Sequence, residues 1–224
     1  MKYGIFLYLL ITLFNLENFA QERLIGVNFK ISSSTIEPKE QWGDGLSNRN
    51  GIGFGLSYNR ILENNLNISL ELAYEEKGIQ GTIFYSDSVG QFNGTTSGID
   101  YYFNYLSLPM MLGYSFGNKF RVIPEIGFRA SYLLNAETKF PNIVNQKNTG
   151  DIKTDRTEDI RSFDFGVAFN LNCVFFIENN IALELGYNFD QSITEFDENN
   201  LFSTEESKHR YSGFEFGIKY LLKE

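Results

Sequence analysis

Eight stretches of the chain alternate apolar and polar residues, the period-two pattern of β-strands with two unlike faces. The first sets Ile25, Val27, Phe29 and Ile31 against Gly26, Asn28 and Lys30, and the second sets Ile52, Phe54, Leu56 and Tyr58 against Gly51, Gly53, Gly55 and Ser57. The same pattern returns at Leu66–Glu75, Leu106–Phe116, Phe120–Leu134, Phe163–Asn172, Ile181–Asp190 and Gly213–Leu222. The joining segments alternate too. Long ones cover roughly 32–50, 76–101, 136–162 and 190–210, and short ones cover 62–65, 117–119 and 178–180. This rhythm predicts an all-β fold, an eight-stranded antiparallel up-and-down transmembrane β-barrel with four long extracellular loops and three short periplasmic turns.

Period two does not say which face points outward, and three features assign the apolar face to lipid. The polar face is crowded with Gly, Ala, Ser and Asn, as a narrow eight-stranded lumen requires. Aromatics gather at both strand ends: Tyr74, Tyr102, Tyr132, Phe163, Tyr187 and Tyr211 toward the long joins, and Tyr58, Phe116, Phe120, Phe175 and Tyr220 toward the short ones. Two such girdles mark the membrane interfaces. The third feature is the N-terminus, where Lys2, an apolar run over 5–16 and Asn18-Phe19-Ala20 read as an export signal cut before Gln21. Residues 1–20 are therefore expected to be a signal peptide and 21–224 the barrel. A soluble exported barrel binding an apolar ligand, lipocalin-like, is the alternative, and a barrel enzyme is a third reading.

Composition adds exclusions. The single Cys173 allows no internal disulfide framework, and a formal charge of −9 argues against nucleic acid as a partner. The expected partners are outer-membrane lipid and envelope or secretion proteins. Two hairpins echo each other, Leu62-Glu63-Asn64-Asn65 and Ile177-Glu178-Asn179-Asn180, and their Asn pairs predict left-handed turn residues.

Short motifs along the mature chain carry a family likeness. They are Ile25-Gly26-Val27-Asn28, Glu71-Leu72-Ala73-Tyr74 with Lys77-Gly78, Tyr105-Leu106-Ser107-Leu108-Pro109, Gly113-Tyr114, Pro124-Glu125-Ile126-Gly127, Ser131-Tyr132-Leu133-Leu134, Phe165-Gly166 and Phe216-Gly217-Ile218-Lys219-Tyr220. In these the chain resembles the PorT-type outer-membrane β-barrel proteins of Bacteroidetes-like bacteria. The resemblance implies an eight-stranded outer-membrane barrel and little about activity, although the family's namesake is tied to protein secretion.

Candidate chemistry is confined to the inner face. Lys30, Glu71, Glu75, Glu125, Arg129, Asp164, Glu184, Glu215 and Lys219 all fall on it. Charges removed from water must be paired, so Lys30, Glu71, Glu125, Arg129, Glu184, Glu215 and Lys219 are expected to form a structural charge network plugging the lumen. Arg129 is expected at its centre, paired with Glu125 and reaching Glu71 or Glu184. The functional alternative is a gated or proton-conducting path. His209, beside Lys208 and Arg210, is expected in solvent in the last long loop, and Cys173 on the lipid face as an apolar filler. Acidic residues crowd the last loop (Asp190, Glu195, Asp197, Glu198, Glu205, Glu206) and the third (Asp151, Asp155, Glu158, Asp159). They suggest a solvated, repulsive surface, with calcium bridging as the alternative. No catalytic, cofactor or metal site is predicted.

Overall fold

The computed structural model describes residues 20–37, 46–86, 89–144, 147–195 and 207–222. The strands are β1 (Ala20–Glu37), β2 (Ser47–Leu62), β3 (Leu66–Ser86), β4 (Phe92–Tyr114), β5 (Phe116–Gly117), β6 (Phe120–Val144), β7 (Lys147–Asp155), β8 (Phe163–Phe176), β9 (Ile181–Ser192) and β10 (Lys208–Leu222). Eight of them close a ring of antiparallel neighbours, β1-β2-β3-β4-β6-β8-β9-β10 and back to β1. The two-residue β5 continues β4 against β6, and β7 folds back on the upper part of β6. The expected signal segment, 1–19, lies outside the described residues, and the expected cut falls at the first residues of β1.

Walking the register once around the ring gives the stagger. Ile25 faces Tyr58, then Leu70, Met110, Phe128, Val167, Gln191 and Arg210, and Arg210 faces Thr35, ten residues along β1 from the start. Ten residues at ~3.3 Å against eight spacings of ~4.8 Å tilt the strands by roughly 40°. At that tilt Phe163 to Phe175 on β8 spans about 30 Å, the thickness of a bilayer's hydrocarbon core.

The apolar face points out. Leu56, Ile126 and Phe128 are 63%, 68% and 65% exposed, whereas their neighbours Ser57, Glu125 and Arg129 are buried. A soluble barrel would do the reverse, so the lipocalin-like alternative is overturned. Cross-strand aromatic pairs sit at the long-loop edge of the outer face: Phe54–Tyr74 is stacked at 5.1 Å, and Tyr132–Phe163 and Tyr187–Phe214 meet edge-on at 5.2 and 5.4 Å. Tyr114 and Phe116 meet at 4.7 Å at the other edge. Tyr211, expected in the outer girdle, instead faces the lumen and is buried.

Two of the long joins are largely strand. The expected loop 76–101 is a hairpin of β3 and β4, paired from Glu76–Asn104 out to Ser86–Phe92, and 136–162 is mostly β6 folded on β7. Period two persists there, but outward Glu76 and Gln80 replace apolar residues, which is why the segment reads as loop. Beyond the bilayer edge the sheet needs no apolar outer face. The short turns stand where expected. Asn65 adopts φ 63° and donates its N–H to Leu62 O at 2.9 Å, whereas the second Asn pair turns without positive φ; Asn65 is the one non-glycine in that region among the described residues.

Candidate functional site

The inner face builds a filled column, because alternate residues of eight strands converge in a lumen wide enough only for side chains. Small residues make room for long ones. A Cβ on Gly55 would lie 2.3 Å from Glu71 Oε1, and one on Gly217 would lie 2.5 Å from Asn28 Oδ1.

At the long-loop end Ile36, Ile79, Phe103, Tyr105, Leu133, Ala136 and Ile160 pack into an apolar lid. At the short-turn end Leu24, Ile61, Ile123, Val174, Phe176 and Ala182 form a second one. Arg121 braces that second end: it grips the Glu22 carboxylate with both terminal nitrogens and lies over the Phe176 ring at 4.7 Å. The ion pairs of Lys30, Arg129 and Lys219 lie between these lids.

Arg129 has a different set of partners from the expected one. It faces Asp164 Oδ2 at 3.1 Å and Asp190 Oδ1 at 3.2 Å, not Glu125, Glu71 or Glu184. On a tilted barrel a side chain meets residues across the lumen, and position along a single strand does not reveal them. Lys30 holds Glu71 at 2.7 Å, Glu215 at 3.5 Å and Glu75 at 3.6 Å. Lys219 holds Glu184 at 2.6 Å and donates to Asn59 Oδ1 at 2.6 Å. Glu125 takes neutral donors: the amides of Asn67 and Asn172 and the hydroxyl of Ser69. Ser107 donates to Glu75 at 2.7 Å, and Ser192 to Asp164 at 2.9 Å.

Several members escaped the sequence reading. Lys77 falls in an expected long join, and Asp190 both ends the seventh expected strand and counts among the acids of the last loop; both are buried in the lumen. Lys77 lies 3.7 Å from Glu75 and 4.0 Å from Asp164. The odd-numbered run Glu71, Ala73, Glu75 continues to Lys77, so strand parity carried the signal.

His209 is buried in a strand and does not stand in solvent in the last loop. It lies in β10 opposite Ile36, 1% exposed, with Nε2 3.3 Å from the Tyr105 hydroxyl and its ring edge-on to Phe103 and Tyr105. It is part of the upper packing, and no solvent reaches it. Cys173 faces outward and is half-buried.

Three acids of the third loop, Asp151, Asp155 and Asp159, have partners. Asp151 meets Lys139 at 3.0 Å, and Asp159 meets Arg156 at 3.4 Å. Asp155 accepts the hydroxyl and N–H of Thr157 at 2.6 and 2.9 Å, and the hydroxyl bond first, then the N–H, holds its carboxyl below the ordinary range. Asp197, Glu198, Glu205 and Glu206 of the last loop lie outside the described residues. Among the described residues no group of three or more acidic, His or Cys side chains is arranged to hold a metal ion.

With an apolar band outside and a closed ring inside, the comparison with known families is decisive. The family described as outer membrane protein beta-barrel domain matches residues 19–198. The chain belongs to that family. This outer-membrane barrel resides in the outer membrane, in contact with bilayer lipid. Solved structures similar to it include Ail, the attachment invasion locus protein of Yersinia pestis, in complex with the heparin analogue sucrose octasulfate (14% identity, 90% of this chain and 98% of that one, TM-score 0.46). Neisserial surface protein A (12%, 88% and 96%, 0.46) and OprG of Pseudomonas aeruginosa (11%, 92% and 98%, 0.45) are others. No curated protein matches the chain.

Proposed function

We propose that this outer-membrane barrel is a closed, non-enzymatic anchor. In this reading it holds its long-loop hairpins at the cell surface and serves envelope or secretion partners there. One observation carries the reading: the charged lumen is enclosed between two apolar lids. An ion crossing the barrel would have to leave its hydration shell at each lid, and buried ion pairs would have to break between them. The network of Lys30, Glu71, Glu125, Arg129, Glu184, Glu215 and Lys219 serves structure here, fixing register by pairing strands across the lumen. The quoted motifs support placing the chain with the PorT-type barrels, and an accessory role in secretion follows from that placement.

The test is electrical. Refolded barrel inserted into a planar bilayer gives no steady open level at neutral pH. A stable conductance at moderate voltage, sustained over minutes, overturns the closed reading. Co-purification from native membranes then identifies the protein bound to the hairpins.

A further inference from the structure

Between the central ion pairs and the short-turn lid lies a cavity of ≈ 20 Å³, room for about one water-sized sphere. Four carboxylates line it, those of Glu71, Glu125, Glu184 and Glu215, against the single ammonium of Lys219. Lys30 engages Glu71 and Glu215, and Lys219 engages Glu184. Glu125 has no cation within ion-pair distance among the described residues, yet it is 3% exposed. A second observation is independent of charge. Asn28, Ser57 and Asn172 line the same cavity and are buried, and Asn28 Oδ1, Ser57 Oγ and Asn172 Oδ1 have no hydrogen-bond partner among the described residues. Every one of these orphaned atoms is an oxygen with lone pairs to offer.

We propose that this lumen cavity binds one sodium-sized monovalent cation, held by the Glu125 carboxylate and the unpaired oxygens of Asn28, Ser57 and Asn172. Uncompensated charge in a buried site is costly, and a hard cation with oxygen ligands removes the cost of Glu125 and of the orphaned acceptors together. A divalent ion is disfavoured, because Lys30 already engages the Glu71 and Glu215 carboxylates and Lys219 engages Glu184, which leaves Glu125 as the one carboxylate of the lining without a cation among the described residues. The ion locks the short-turn half of the barrel and does not pass through it. The inference therefore rests on the closed lumen.

The full refolded barrel in detergent is heated in buffer holding about 150 mM sodium chloride or the same concentration of choline chloride, so that screening is equal. The conversion from the compact to the unfolded gel band is followed. Sodium raises the midpoint by several degrees over choline, and Glu125→Gln, which keeps hydrogen-bonding capacity and loses charge, abolishes the difference. Should that variant fail to insert, Ser57→Ala raises the sodium concentration needed for half the effect by several-fold. Equal midpoints in the two salts overturn the proposal. So does a sodium effect with unchanged half-saturation in both variants. A midpoint that rises on acidification and ignores sodium assigns the site to protons and also overturns it. A barrel that conducts in planar bilayers refutes the closed reading instead, and the salt comparison is blind to that outcome.

Discussion

Arg129 is the most heavily engaged cation in the lumen, and its removal gives a test with a worked magnitude. Its side chain is 1% exposed and lies 3.1 Å from Asp164 and 3.2 Å from Asp190, themselves 2% and 8% exposed. Arg129→Ala strands both carboxylates and withdraws donors from Ser131 and Ser192. Lys77, 4.0 Å from Asp164, compensates that group in part, but Asp190 has no other cation within ion-pair distance among the described residues. Breaking a buried pair costs about 3–5 kcal/mol, and the partial rescue of Asp164 places the expected loss at about 4 kcal/mol. With a urea slope of about 2 kcal/mol/M the unfolding midpoint falls by about 2 M. The assay is refolding into lipid vesicles, equilibration across urea and band shift on a cold detergent gel. The triple variant Arg129→Met, Asp164→Asn, Asp190→Asn recovers most of the loss, because the penalty comes from stranded charge. A midpoint for Arg129→Ala within about 0.3 M of the native barrel refutes the reasoning, since that is far below the worked shift. A triple variant no better than the single one refutes it equally.

Other expectations follow from the same geometry. Gly127→Ala places a Cβ 2.0 Å from the Met110 carbonyl oxygen, a backbone atom that cannot swing aside, and destabilises the barrel by about 1–3 kcal/mol in the same unfolding assay. Phe103→Ala opens the long-loop lid and costs about 3–5 kcal/mol, but planar-bilayer recordings stay silent because the short-turn lid remains; an open level in this single variant contradicts two independent seals. Asp155 lies in the β6–β7 hairpin with its carboxyl pKa lowered by Thr157, so its stabilising contribution is present above the ordinary carboxylate pKa and is lost as pH falls through the lowered value. Thr157→Val removes the hydroxyl bond and moves the Asp155 carboxyl back up toward the ordinary range in a carbon-detected NMR titration; an unchanged titration contradicts that cause.

Period-two alternation was sufficient to place all eight barrel strands and the three short turns, and the small residues of the inner face together with the aromatic girdles supplied the outward direction of the apolar face. It failed at strand ends, where the outer face turns polar above the bilayer. Lys77 and His209 fall in expected loops for that reason, and Asp190 falls where its expected strand meets the last loop, although each sits on the inward parity of its strand. The second Asn pair shows the limit of turn chemistry: a residue tolerant of positive φ is not compelled to adopt it.

What the sequence determined by itself is local: which residues pair faces, where the chain turns, and which charges point inward. Each of these follows from the two-residue repeat of a strand, from turn residues and from the small residues crowded on one face, all of them properties of near neighbours in the chain. What the tertiary structure alone decided is the partnership inside. The ten-residue stagger on closure, seen in Ile25 returning at Thr35, sets which levels of distant strands meet, and a one-residue change in register would turn every side chain to the other face. Arg129 therefore finds Asp164 and Asp190, Glu125 is left among amides, and the two apolar lids assemble from strands far apart in sequence.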